Sequence, residues 1–188
     1  LAKDNCYLDA KKCSQISDST VKDSCISELA KAAKDIKVCE LTQSDSAKGY
    51  CQEQIAELTA DPSKCALITD SYWADNCHFN LGIKDNNSVF CSLITNPPQR
   101  SECFMKIALS TKDALLCDYL DAEGKEDCTY SIAKATLNPD LCQEIHPVIR
   151  RSDCLIKVAK LAQNSSICEQ IPVKPIKEDC RGKFNASK

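Results

Sequence analysis

Asp23-Ser24-Cys25-Ile26-Ser27-Glu28-Leu29-Ala30, followed by Asp35-Ile36-Lys37-Val38-Cys39, is the stretch that decides the fold, because the chain repeats it with a period of about 26 residues. Two classes of cysteine alternate. The first is Cys6, Cys25, Cys51, Cys77, Cys103, Cys128, Cys154 and Cys180, and the second is Cys13, Cys39, Cys65, Cys91, Cys117, Cys142 and Cys168. From Cys25 onward the interval from first to second class never varies, and the interval from second to first is shortened by a single position only once, between Cys117 and Cys128. Other positions recur in phase. Four residues after the first-class cysteine stands an aliphatic (Leu29, Ile55, Leu81, Ile107, Ile132, Val158), followed by a small residue (Ala30, Ala56, Gly82, Ala108, Ala133, Ala159). Ten residues after it stands Asp35, Asp61, Asn87, Asp113, Asn138 or Asn164.

Each recurring position has a physical reading. A cysteine with an aliphatic four residues on marks one face of a helix, here called helix A, and the small residue beside it lets a neighbour approach closely. The Asp or Asn then caps the next helix by accepting from its free N–H groups, and Pro62 and Pro139 follow directly at the first helical position. That second helix, B, is about two turns long and carries the second-class cysteine. Three residues after the cysteine, in six of seven cases, comes Ile or Leu: Ile16, Ile68, Ile94, Leu120, Ile145 and Ile171. Helix A restarts after a polar turn such as Thr42-Gln43-Ser44-Asp45-Ser46, or near Pro97-Pro98, Pro147 and Pro175. The acid pairs Glu126-Asp127 and Glu178-Asp179 read as first-turn acids facing the positive end of helix A. No stretch alternates with period two, so the expected fold is all-α: a disulfide-stapled α-solenoid of about seven 26-residue two-helix repeats.

The 15 cysteines admit metal binding or disulfides. One metal ion is reached by several side chains of a short stretch, as in C-x2-C with a nearby histidine. Here no two cysteines lie closer than seven residues, and the two histidines, His78 and His146, sit in unrelated contexts. Disulfides are therefore expected, and no metal or other cofactor. Helix B can be linked to its own helix A or, across the next turn, to the following one. Antiparallel helices bring residues opposite each other when both lie equally far from the turn. The within-repeat pairing leaves a mismatch of roughly 7 Å, near the whole Cα span a disulfide tolerates, whereas pairing across the turn leaves little. The expected links are Cys13–Cys25, Cys39–Cys51, Cys65–Cys77, Cys91–Cys103, Cys117–Cys128, Cys142–Cys154 and Cys168–Cys180, with Cys6 left unpaired or intermolecular. Each closure contributes on the order of 3 kcal/mol by loop entropy.

Disulfides on this scale belong to an oxidising compartment, intracellular proteins of hyperthermophiles being the exception. Leu1 is not a methionine and no leader is visible, which reads as a mature secreted chain or an artificially trimmed one. No apolar stretch is long enough to span a membrane. With net charge −3 and basic residues interspersed with acids, nucleic acid is not an expected partner. Three Asn-x-Ser sequons, at Asn86, Asn164 and Asn185, are candidate glycosylation sites.

The repeat resembles the cysteine-rich helical repeats of predicted exported archaeal proteins, and in general plan a shortened tetratricopeptide-like α-solenoid. The resemblance covers nearly the whole chain. It implies a secreted, right-handed helical stack with no established activity. Because the unit is shorter than the tetratricopeptide one and lacks its aromatic positions, a peptide groove does not carry over.

One helical-repeat domain is expected over 1–188, with a truncated unit at 1–16, repeats over 17–174 and a terminal helix A at 175–188. A stack of this kind buries each unit only against its neighbours. The shortened first unit and a last helix A without its helix B are expected to leave stacking faces open, which suggests head-to-tail self-association into an extracellular filament or surface scaffold. No nucleophile–base pair stands out, so the expectation is non-enzymatic: catalytic residues none. Trp73, His78 and His146 read as packing or surface residues. The alternative is a monomeric module that binds another surface protein or a glycan. A thiol-active enzyme would need a reactive low-pKa cysteine.

Overall fold

The structure is a computed structural model and describes residues 10–185. Seven long helices carry the first-class positions: α1 (Ser19–Ala33), α2 (Asp45–Thr59), α3 (Ser71–Asp85), α4 (Pro97–Thr111), α5 (Ala122–Thr136), α6 (Val148–Leu161) and α7 (Lys174–Asn185). Between them lie short B segments, and no strand occurs among the described residues. The chain gathers into two compact units, residues 1–100 and 101–188.

The B segments are tighter than the sequence suggests. Ile36–Leu41, Pro62–Leu67, Ala114–Tyr119 and Ser165–Gln170 are 3-10 helices, while Ser88–Leu93 and Pro139–Gln143 are short α-helices. Six residues at three per turn still make two turns. The aliphatic three residues after the second-class cysteine lies just outside the segment: Ile68, Ile94 and Ile171 are extended C-cap residues whose N–H donates to the cysteine carbonyl.

One residue makes both sides of each A-to-B turn. Asp35 donates its backbone N–H to the Ala30 carbonyl at 3.2 Å, while its carboxylate accepts from Lys37 N at 3.0 Å. The first bond closes helix A as a Schellman motif and the second opens helix B as an N-cap. Asp61, Asn87, Asp113, Asn138 and Asn164 repeat both, donating to the carbonyls of Ala56, Gly82, Ala108, Ala133 and Ala159 and accepting from the N–H groups of Ser63, Val89, Leu115, Asp140 and Ser166. The residue before each of them is left-handed without being glycine: Lys34, Ala60, Asn86, Lys112, Leu137 and Gln163 have φ of 49–58°.

In the first unit, disulfides join Cys13–Cys25, Cys39–Cys51 and Cys65–Cys77; in the second they join Cys117–Cys128, Cys142–Cys154 and Cys168–Cys180, with Cα separations of 5.6–5.8 Å. Cys91 and Cys103 are disulfide-bonded as well. None of these fourteen cysteines is more than 6% exposed. The core is assembled around them. Ala30, the Cys39–Cys51 bond and Ile55 form one cluster, and Ala56, Cys65–Cys77 and Leu81 the next. Ala108 with Cys117–Cys128 and Ile132, and Ala133 with Cys142–Cys154 and Val158, repeat the arrangement in the second unit. The small residue of helix A thus receives the next hairpin's disulfide against its face. Removing a fully buried aliphatic such as Ile55 by substitution to Ala would cost roughly 2–5 kcal/mol.

One expectation is corrected. Glu126-Asp127 and Glu178-Asp179 stand in the second turns of α5 and α7, because those helices begin at Ala122 and Lys174. Asp127 pairs with Arg150 and Asp179 with Lys183. At α5 the helix start is capped instead by Asp121, whose carboxylate accepts from Gly124 N at 2.8 Å. No described helix is long and apolar enough to cross a membrane.

Candidate functional site

One hollow of the first unit has an aromatic wall that a glycine makes room for. Gly49, inside α2, occupies the position two residues before the first-class cysteine, where α1 and α3 carry Asp23 and Asp75. A Cβ at Gly49 would come within 2.2 Å of Trp73 Cδ1, so only glycine lets the indole of α3 lie down on α2. There Trp73 meets Tyr50, ring centroids 5.1 Å apart and tilted by 57°, and Tyr72 edge-on at 5.0 Å. Tyr50 is fixed further by Gln54, whose amide donates to the phenol oxygen at 2.7 Å.

This aromatic wall borders a groove of about 720 Å³ between α1 and α2. Its opposite side carries Ser24, Ser27 and Lys31, and its end is lined by the hydroxyls of Ser44 and Ser46. Its ionic groups are each engaged within the protein. Lys31 Nζ lies 2.9 Å from Glu28 Oε1. Asp23 accepts from the backbone N–H of Gln43 at 2.7 Å and faces Ser44 Oγ at 3.5 Å, tying α1 to the turn that starts α2. Asp75 does the same one repeat later, accepting from Thr95 N, Thr95 Oγ1 and Asn96 N at 2.7–2.9 Å.

A second hollow of about 440 Å³ shares Lys31 and runs between α2 and α3 past Glu57, Asn80 and Lys84. Beneath it Glu53, 6% exposed, accepts from Asn80 Nδ2 at 2.9 Å. Burial, and then the charge of Glu57, push its carboxyl from 4.5 up to about 7. In the same unit His78 is buried beside the Phe90 ring, and burial lowers its pKa against the pull of Asp75. Its Nδ1 has no hydrogen-bond partner, and neither has Oε1 of Gln52 at the equivalent position of α2.

In the second unit a smaller hollow of about 180 Å³ lies against Thr129, Ile145 and His146. Thr129 follows Cys128, and at that position α4 and α6 carry the larger Phe104 and Leu155, both buried. The hollow is the space a bulkier residue fills in the neighbouring repeats. His146 itself is exposed at its rim.

Of the remaining residues singled out by sequence, Asn86 is exposed in the left-handed C-cap of α3, and Asn164 is exposed with its Oδ1 accepting from Ser166 N and Oγ. Asn185 is the last residue of α7. Cys6 lies outside the described residues. Among the described residues no three His, Cys, Asp or Glu side chains converge as metal ligands would.

No protein-family model, curated protein or solved structure matches the chain. The architecture is that of a cysteine-rich helical repeat with regularly spaced disulfides. Trp73 packs against the Ala56, Cys65–Cys77 and Leu81 cluster, as its sequence reading expects, but the groove beside it is not readable from that expectation. A glycine at a position otherwise held by polar side chains, with the sole tryptophan of the chain one repeat on, is the signal that could have located it.

Proposed function

We propose that the chain is a secreted, non-catalytic structural protein, a stiff helical-repeat scaffold that associates head to tail into an extracellular filament or surface layer. The observation that carries this reading is the placement of the sulfurs: consecutive hairpins are closed by buried disulfides, and the core of each repeat is packed around one. Such links remove conformational freedom from the unfolded chain and persist in an oxidising compartment. Their number is understandable for a protein selected for endurance outside the cell. Stacked repeats bury each unit only against its neighbours, and a stacking contact between copies that does not close into a ring propagates as a filament. The test is the native, unreduced protein at high concentration, by size exclusion and negative-stain imaging. Concentration-dependent filaments are expected; monomers alone at every concentration would overturn the assembly.

A second reading is a monomeric module that grips an extracellular partner. It is supported by one specific feature, the partly buried Trp73 and exposed Tyr50 bordering a groove. Non-catalysis is part of both readings. The carboxyl with the largest upward shift among the acids, Glu53, is buried under Asn80 and Glu57, below the surface a substrate would touch.

A further inference from the structure

We infer that the groove between α1 and α2 is a binding site for an uncharged oligosaccharide, an inference that rests on the binding-module reading and gives it a ligand class. Three independent features converge on it. The first is the cost of the aromatic wall. A glycine inside a helix forgoes roughly 1 kcal/mol relative to alanine. Gly49 is required by the position of Trp73, whose indole packs partly on the Ala56, Cys65–Cys77 and Leu81 cluster while keeping part of its surface open beside the groove. A flat aromatic face left open beside a groove is suited to something that stacks on it.

The second is charge. Each ionic group of the groove already has a partner inside the protein: Lys31 with Glu28, and Asp23 with the Gln43 N–H. An ionic ligand would have to compete for groups that are already engaged, at a modest cost for the exposed Lys31–Glu28 pair. A neutral ligand leaves them intact.

The third is the polar lining. Ser19, Thr20, Ser24 and Ser46 present hydroxyls, each able to donate and accept and free to rotate. A pyranose ring offers one face of C–H groups, which seats on the electron-rich face of an aromatic ring, and a rim of hydroxyls with the same donor-and-acceptor character. The groove, at about 720 Å³, falls within the roughly 300–1,000 Å³ of small-molecule sites, room for a short oligosaccharide.

The test uses the native full chain. Trp73 is its only tryptophan, so intrinsic emission reports this site alone. Neutral trisaccharides of glucose, mannose, galactose and N-acetylglucosamine are titrated to millimolar concentration, beside an acidic and a basic peptide and a sulfated disaccharide. A saturable change in emission with at least one neutral trisaccharide and none of the charged probes is expected. Tyr50→Ala should weaken that binding about tenfold, or about 1.4 kcal/mol. Gly49→Ala, which favours the helix but displaces the indole, should weaken it comparably at unchanged helical content, so lost binding is separable from lost folding. Calorimetry on Trp73→Leu should show no binding. A response to the peptides without any to neutral sugars would overturn the saccharide and leave a binding module standing. Silence from every probe would overturn both, and sugar binding untouched by Tyr50→Ala and Gly49→Ala would overturn the site.

Discussion

Replacing Glu53 by glutamine should make the first unit more stable at alkaline pH and leave it nearly unchanged in acid. Glu53 is held at about 7 in the folded chain, against an ordinary 4.5, chiefly because it is buried. A carboxyl raised in this way binds its proton more tightly folded than unfolded. Its contribution is therefore fully present below about pH 4.5 and is lost as pH rises through about 7. At about 1.36 kcal/mol per pH unit, the interval from 4.5 to about 7 corresponds to at most about 3 kcal/mol, part of which is shared with Glu57. Glutamine has the same shape, keeps an oxygen to accept from Asn80 Nδ2 and has an amide to donate to Glu57, without ever charging. Guanidinium unfolding of the unreduced wild type and Glu53→Gln, compared in acid and in mild alkali, measures the effect. The wild type should lose stability across that range, and the variant should recover on the order of 2 kcal/mol on the alkaline side with little gain in acid. Equal pH slopes for the two proteins would refute the reasoning, as would a destabilised variant in alkali.

Other expected outcomes follow from local geometry. Lys34→Gly and Lys112→Gly, at φ of 53° and 58°, should each raise the unfolding free energy by about 1 kcal/mol, because glycine adopts the left-handed cap without a Cβ clash; a loss at either site in chemical denaturation would contradict the cap assignment. Thr129→Leu should fill the hollow that Phe104 and Leu155 fill in their own repeats and add about 1 kcal/mol, read as a higher denaturation midpoint. Asp75→Ala should cost about 3 kcal/mol, since it strands the N–H groups of Thr95 and Asn96 at the start of α4, and hydrogen exchange at those two amides should accelerate before the rest of the unit.

The helical hairpins were legible because three properties recur at one phase: a cysteine, an aliphatic one helical turn on, and a small residue beside it. Each reflects a local demand that the same packing imposes again in every repeat. The cap at Asp35 and its equivalents was readable for a similar reason, since a short polar side chain accepts a bond from its own neighbourhood. What escaped depends on contacts between repeats or on positions without chemical identity. The left-handed residues are Lys, Ala, Asn, Lys, Leu and Gln, so their common backbone geometry leaves no mark in composition. Four B segments tighten to 3-10 while two with the same cap and a disulfide-bonded cysteine stay α, a difference that no recurring residue marks. Glu126 and Glu178 stand about one turn further in than expected, because the helices already begin at Ala122, after Asp121, and at Lys174, after Pro172-Val173. Trp73 reads as simple packing in the sequence because its support, Gly49, lies one repeat earlier on another helix.

The most direct measurement is peptide mapping of the native protein under non-reducing conditions, combined with titration of free thiols. The account predicts links such as Cys39–Cys51, Cys65–Cys77, Cys142–Cys154 and Cys168–Cys180, each joining a B segment to the following long helix, and no reactive thiol among residues 10–185. Mostly free thiols, or links joining each long helix to its own B segment, would contradict it.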